Sequence, residues 1–167
     1  LYIYWNILSR LIIFTIFSVF LNSLFRNRAK INALVKDVSR KNESIIDSIK
    51  YARIIQDAIL PDFTKFKIHN SDAFILNIPK DILSGDFFWH AYKNNKFIFG
   101  VIDCTGHGVP GSLLSMAGNS LLNKIVLENN ITSPEDVLFN LNKEINTLFT
   151  AGSGNVYDGM EVAIASY

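Results

Sequence analysis

The chain has 167 residues, with 16 Lys and Arg against 15 Asp and Glu for a formal charge of +1. No global basic field draws it to nucleic acid, so any function rests on local sites. The single cysteine, Cys104, excludes an internal disulfide and a CxxC metal site and fits a reducing compartment.

Hydrophobic residues make up 49% of the chain, and the excess is concentrated at the start. From Leu1 to Phe25 the only formally charged residue is Arg10, while Tyr2, Tyr4 and Trp5 crowd the upstream edge as interfacial aromatics do. A bilayer needs about 20 apolar residues, and 1–25 supplies them if Arg10 snorkels or faces a partner. The alternatives are a signal peptide, against which the lack of a small-residue cleavage site argues, and a buried core helix. Arg26, Arg28 and Lys30 follow at once. By the positive-inside rule the expected location is the cell inner membrane, with a single visible span and the remainder cytoplasmic. The upstream flank before Leu1 is unseen.

Residues 26–60 contain neither proline nor glycine, and Ile31, Val38, Ile45, Ala52 and Ile59 recur at a seven-residue spacing. Leu34, Lys41, Ser48 and Ile55 occupy the intervening d-type positions. β-Branched residues at a favour parallel two-stranded coiled coils, so the stretch predicts a homodimeric helical linker. A lone amphipathic helix packed on the next domain is the alternative. Pro61 ends the helix in either case.

Beyond the proline, 72–79 reads as a strand, and 86–93 and 96–103 as a hairpin folded at Asn94-Asn95. Residues 111–128 read as a helix with a broad apolar face. Ser133-Pro134-Glu135-Asp136 carries the cap, first-turn proline and acids of a helix start, and that helix is expected to reach Phe149. A flexible link at 151–155 and a strand over 161–167 complete the chain. The fold class is α+β, a sheet with helices on it. The last strand leaves an unfilled sheet edge, and the chain is expected to be incomplete at its end.

The hairpin brings Asp86, in Ser84-Gly85-Asp86-Phe87-Phe88, and Asp103, in Asp103-Cys104-Thr105-Gly106-His107-Gly108, to one end of the same ribbon. Two carboxylates held close repel, and such a pair holds a proton or a divalent cation. The loop after Asp103 runs into a helix N-terminus, which suits anions or metals. It is not a P-loop, because no Gly-Lys-Ser/Thr follows, nor a dinucleotide fingerprint, because the glycine spacing is wrong.

Three stretches in order, Tyr51 to Pro61, Pro79 to Trp89 and Asp103 to Gly111, resemble the SpoIIE-type serine/threonine phosphatases, relatives of protein phosphatase 2C. The resemblance implies a membrane-linked bacterial signalling phosphatase, with the N-terminal part of its domain at 61–167 following the transmembrane segment read at 1–25 and the coiled-coil linker read at 26–60. That domain would be a partial α-β-β-α sandwich of antiparallel sheets with flanking helices. It implies two Mn2+ or Mg2+ ions, hard cations suited to carboxylate oxygen. Asp86 matches the first metal aspartate, Asp103 the bridging one, and the Cys104 carbonyl a further ligand. The implied partner is a phosphorylated protein, for instance an anti-sigma-factor antagonist.

The family's later metal aspartates, in a Ser-Asp-Gly turn and an Asp-Asp pair, have no counterpart here. Half a metal cage is therefore expected, and a segment inactive alone. The alternative is a catalytically dead dimeric signalling adapter. His107, between glycines, is read as structural with phosphate or water orientation as its rival. Asp158-Gly159 is read as the approach to the last strand, Phe87, Phe88 and Trp89 as core, and Lys80 and Arg53 as solvated or linker residues.

Overall fold

A computed structural model of the chain describes residues 2–62, 74–150 and 158–167. The chain divides after Asp47 into two compact units. The first is entirely helical. Helix α1 runs over Tyr2–Ile59, uninterrupted because no proline or glycine breaks it. Its N-terminal stretch has a mean hydropathy of 1.9 and none of it is buried, so it is long and apolar enough to cross a membrane. Asp37 accepts ion pairs from Arg40 and Lys41 at 3.1 and 2.8 Å. The heptad residues Ile31, Val38 and Ile45 are all exposed.

In the second unit, β1 (Phe87–Lys93) and β2 (Lys96–Cys104) form the expected hairpin, in register from Phe87 opposite Ile102 to Lys93 opposite Lys96. Asn94 and Asn95 have φ of 51° and 59°, the left-handed pair that a two-residue turn requires. Strand β3 (Met160–Ser166) pairs antiparallel on the other side of β2, giving the order β1-β2-β3. Helix α2 (Gly108–Asn123) continues into a π-helical turn at Lys124–Glu128, and α3 (Pro134–Thr150) follows with Glu135 and Asp136 in its first turn.

Alternation along β1 buries Phe87, Trp89 and Ala91 on one face, where Ile98, Ile102 and Cys104 of β2 join them. Against that face pack Leu114 and Leu122 of α2, Ile125 and Val126 of the π turn, and Val137, Leu141 and Ile145 of α3. Trp89 fills the centre and satisfies its indole by donating to Asn123 Oδ1 at 3.0 Å.

Two expectations are corrected. Residues 74–79 form no strand. Their alternation leaves Phe74, Leu76 and Ile78 at 85%, 78% and 80% exposure, because a strand needs a ladder partner and none is present among the described residues. Phe88 is not core: the two-residue period turns it to the opposite face from Phe87 and Trp89, where it is half-buried. Residues 72 and 73, and the expected link at 151–155, lie outside the described residues.

Candidate metal and phosphate site

The register Phe87–Ile102 makes Asp86 and Asp103 the next pair outward along the ribbon. Their carboxyl groups are close enough to raise the Asp86 carboxyl above its ordinary range. Partial burial is the first cause, and the neighbouring Asp103 side chain and its charge follow. Asp86 is itself exposed, and the neighbouring carboxylate is the cause that bears on ligand binding. A proton held between two acids occupies the place a cation would take.

Three glycines make the close approach possible. A Cβ on Gly111 would lie 2.6 Å from the Gly106 carbonyl oxygen, and one on Gly85 would lie 2.9 Å from that oxygen and 3.3 Å from Cys104 O. The turn carrying Asp86 therefore packs backbone to backbone on the loop that follows Asp103. This crossing brings the Cys104 carbonyl oxygen close to Gly85, the residue before Asp86, and carboxylate and carbonyl oxygens are the donors that hard divalent cations take. These residues fit such an ion. No three His, Cys, Asp or Glu side chains converge as a metal cage among the described residues.

The Cys104 thiol is buried at 2% exposure. Burial first, then the charges of Asp86 and Asp103, push it up to about 12, so it stays a neutral thiol and no nucleophile. Beside the carboxylates, a groove of about 510 Å³ runs between residues 74–78 and the sheet face bearing Phe88, Phe99 and Val101.

Neighbouring residues clamp the loops. Thr105 donates from both N and Oγ1 to Gly159 O at 2.9 and 3.0 Å, and Gly159 N donates to Thr105 Oγ1 at 3.1 Å. This agrees with a structural role for Asp158-Gly159. Arg53 pairs with Asp57 and donates to Ile82 O at 3.2 Å, the helix and linker contacts expected of it, and Lys80 is exposed.

Sequence reasoning missed three residues. Gln56, at 1% exposure, donates from Nε2 to Ser84 O at 2.6 Å and to Ser115 Oγ at 3.0 Å, while its Oε1 accepts from Ser84 N at 3.2 Å. Its helical context marks it as one more polar linker residue. Asp81 lies 2.6 Å from His107 Nδ1 through Oδ2. Glu161 stands opposite Asp103 in the β2–β3 register, and the double glycine–threonine clamp had no local signal to foretell it.

No family model matches the chain, and no curated protein matches it. Among solved structures it is similar to the SiaA-PP2C domain of Pseudomonas aeruginosa, with 30% sequence identity over 74% of this chain and a TM-score of 0.62. The chain spans about half, 48%, of that domain's length. The architecture of the described residues is PP2C-like.

Proposed function

We propose that this chain carries part of a metal-dependent serine/threonine phosphatase of the SpoIIE type, tethered to the membrane and acting in a signalling pathway. The observation that carries the reading is the Asp86–Asp103 pair, set side by side at the end of the β1–β2 ribbon and close enough for Asp103 to raise the Asp86 carboxyl. The likeness to a PP2C domain supports the same chemistry. Asp86, Asp103 and the Cys104 carbonyl would hold Mn2+ or Mg2+. When bound, such ions activate water and neutralise charge on a transferring phosphoryl group.

The chain's own part is to fix the two carboxylates through the glycine crossing and to keep the Cys104 thiol neutral. The substrate would be a phosphorylated protein, an anti-sigma-factor antagonist being one such class. The exposed heptad face of α1 supports a homodimer, its apolar start supports a membrane span, and Arg26, Arg28 and Lys30 after it support an inner-membrane topology with the phosphatase part in the cytoplasm.

The test is Mn2+ binding to the whole chain in micelles, followed by electron paramagnetic resonance. Weak binding lost in the Asp86→Asn, Asp103→Asn double variant is the expected result, and undiminished binding in that variant sinks the assignment. The rival adapter reading draws on the lack of a three-side-chain cage among the described residues. It predicts no phosphoserine hydrolysis at any Mn2+ concentration.

A further inference from the structure

We infer that the apolar start of α1 is itself a dimer interface between two copies of this chain, built around one polar layer in which Arg10 of one protomer donates to the side-chain oxygen of Asn6 of the partner subunit. This rests on the membrane and homodimer readings above and goes beyond them, because they assign the pairing to the linker only.

The heptad that runs through Ile31, Val38 and Ile45 does not stop at the basic flank. Counted back in sevens along the same unbroken helix, it meets Leu24, Phe17, Arg10 and Ile3, and the intervening d-type positions are Asn27, Phe20, Ile13 and Asn6. Every one of these side chains is exposed in the single chain. Within 1–25 the seam is apolar except at Asn6 and Arg10, and a cation and an amide are the groups hydrocarbon accommodates least. Ser9 and Thr15 need no second chain, since their hydroxyls donate to the carbonyls of Asn6 and Ile12 at 3.0 and 2.8 Å.

Asn6 and Arg10 are four residues apart, so they share one face of the helix and lie about 6 Å apart along its axis. Helical side chains lean toward the N-terminus. That lean carries the Arg10 guanidinium outward past Asn6 toward the level of Trp5, about 8 Å along the axis from the Arg10 Cα. There the charge meets headgroups and water, and the two guanidiniums of a dimer are not forced together in hydrocarbon. The Asn6 amide stays on the seam. Its oxygen accepts a charge-assisted hydrogen bond from the partner subunit's Arg10, and its NH2 group donates across the layer. A polar residue at a single core layer also fixes a parallel register.

The sequence favours this packing over its alternatives. Tyr4 and Trp5 fall at b and c, on the side of the helix away from the seam, where interfacial aromatics face lipid. Neither glycine nor alanine occurs in 1–25, and no two of Ser9, Thr15, Ser18 and Ser23 stand four apart. The small-residue ridge of a close right-handed crossing is therefore missing. Large side chains at a and d suit knobs-into-holes packing, and the supercoil that goes with it keeps a seven-residue seam in line where a straight helix would let it drift by about 20° per heptad.

The experiment is a cysteine scan of the whole chain in native membranes with a membrane-permeant oxidant. Cys104 is buried and stays silent. Ile13→Cys, Phe17→Cys and Phe20→Cys, on the seam, should form interchain disulfides as readily as Val38→Cys, whereas Ile12→Cys and Val19→Cys, at c, should form few. Energy transfer between labelled chains in micelles then measures self-association. Asn6→Leu should weaken it about tenfold. Arg10→Leu should weaken it too, and the double variant should lose less than the product of the two single losses, because both remove the same contact.

Equal disulfide yields around the span, or maxima at Ile12 and Val19, overturn the inference. So does undiminished self-association of Asn6→Leu, or a double variant that loses the full product. If Val38→Cys links and the seam positions of the span do not, the span interface fails while the linker homodimer stands; if neither links, both fail.

Discussion

Asp86 and Asp103 turn a hairpin end into a site because each worsens the other's ionisation. The raised Asp86 carboxyl holds its proton more tightly folded than unfolded. Its stabilisation is therefore full below the ordinary carboxylate range and is lost as pH rises through the Asp86 value. Urea midpoints of the metal-free chain should fall over that window. Asp103→Asn should flatten the slope, and Mn2+ at neutral pH should restore stability by replacing the proton. A metal-free protein that gains stability across the same window would contradict the pairing. Asp103→Asn should abolish whatever phosphoserine hydrolysis the protein shows and weaken Mn2+ by more than about tenfold. Cys104→Ser should keep most of the activity, because the carbonyl survives, at a stability cost of about 1 kcal/mol for a buried hydroxyl. Parallel turnover and Mn2+ titrations of the two variants check this.

At the scale of elements, Gln56 ties the end of α1 to the Asp86 turn and to α2 through three hydrogen bonds at 1% exposure. Gln56→Ala leaves the Ser84 N–H without its acceptor and should cost about 2 kcal/mol in chemical denaturation. Gln56→Glu keeps the shape but cannot donate to Ser84 O, and it should cost at least as much. The glycine crossing makes a sharper demand. A methyl at 111 would meet the Gly106 carbonyl oxygen at 2.6 Å, so Gly111→Ala must separate the two loops. A loss of about 2 kcal/mol, with weaker Mn2+ binding, is expected. Normal binding in that variant would show that the crossing does not position the carboxylates.

For the molecule as a whole, the apolar start and the heptad face of α1 lead to expectations that one set of cysteine variants can read. Val38→Cys and Ile45→Cys should form interchain disulfides efficiently in native membranes, since both lie on the heptad seam and are exposed in the single chain. Cys substitutions on the opposite face, at Lys36 or Ser39, should crosslink poorly, and equal yields would favour a lone helix. The same variants should be shielded from an impermeant thiol reagent outside intact cells if residues after Phe25 are cytoplasmic. Labelling from outside would reverse the topology.

Local rules made the hairpin, its Asn94-Asn95 turn, the helix start at Pro134 and the convergence of Asp86 with Asp103 readable from sequence, because each depends on residues near one another in the chain. Residues 74–79 show the limit of alternation. Phe74, Leu76 and Ile78 have a strand's pattern, but extended backbone becomes a strand only against a partner's N–H and C=O groups. Phe88 shows it too, since a run of aromatics does not say which of them faces the core until the pleat is set. The placement of β3 on β2, the Gln56 bridge and the Asp81–His107 pair were decided only by the tertiary structure. Each joins segments that are dozens of residues apart, and what brings them within hydrogen-bonding distance is the packing of α2 and α3 on one face of the sheet and the bare-backbone contact of Gly85 with Gly106 and Gly111.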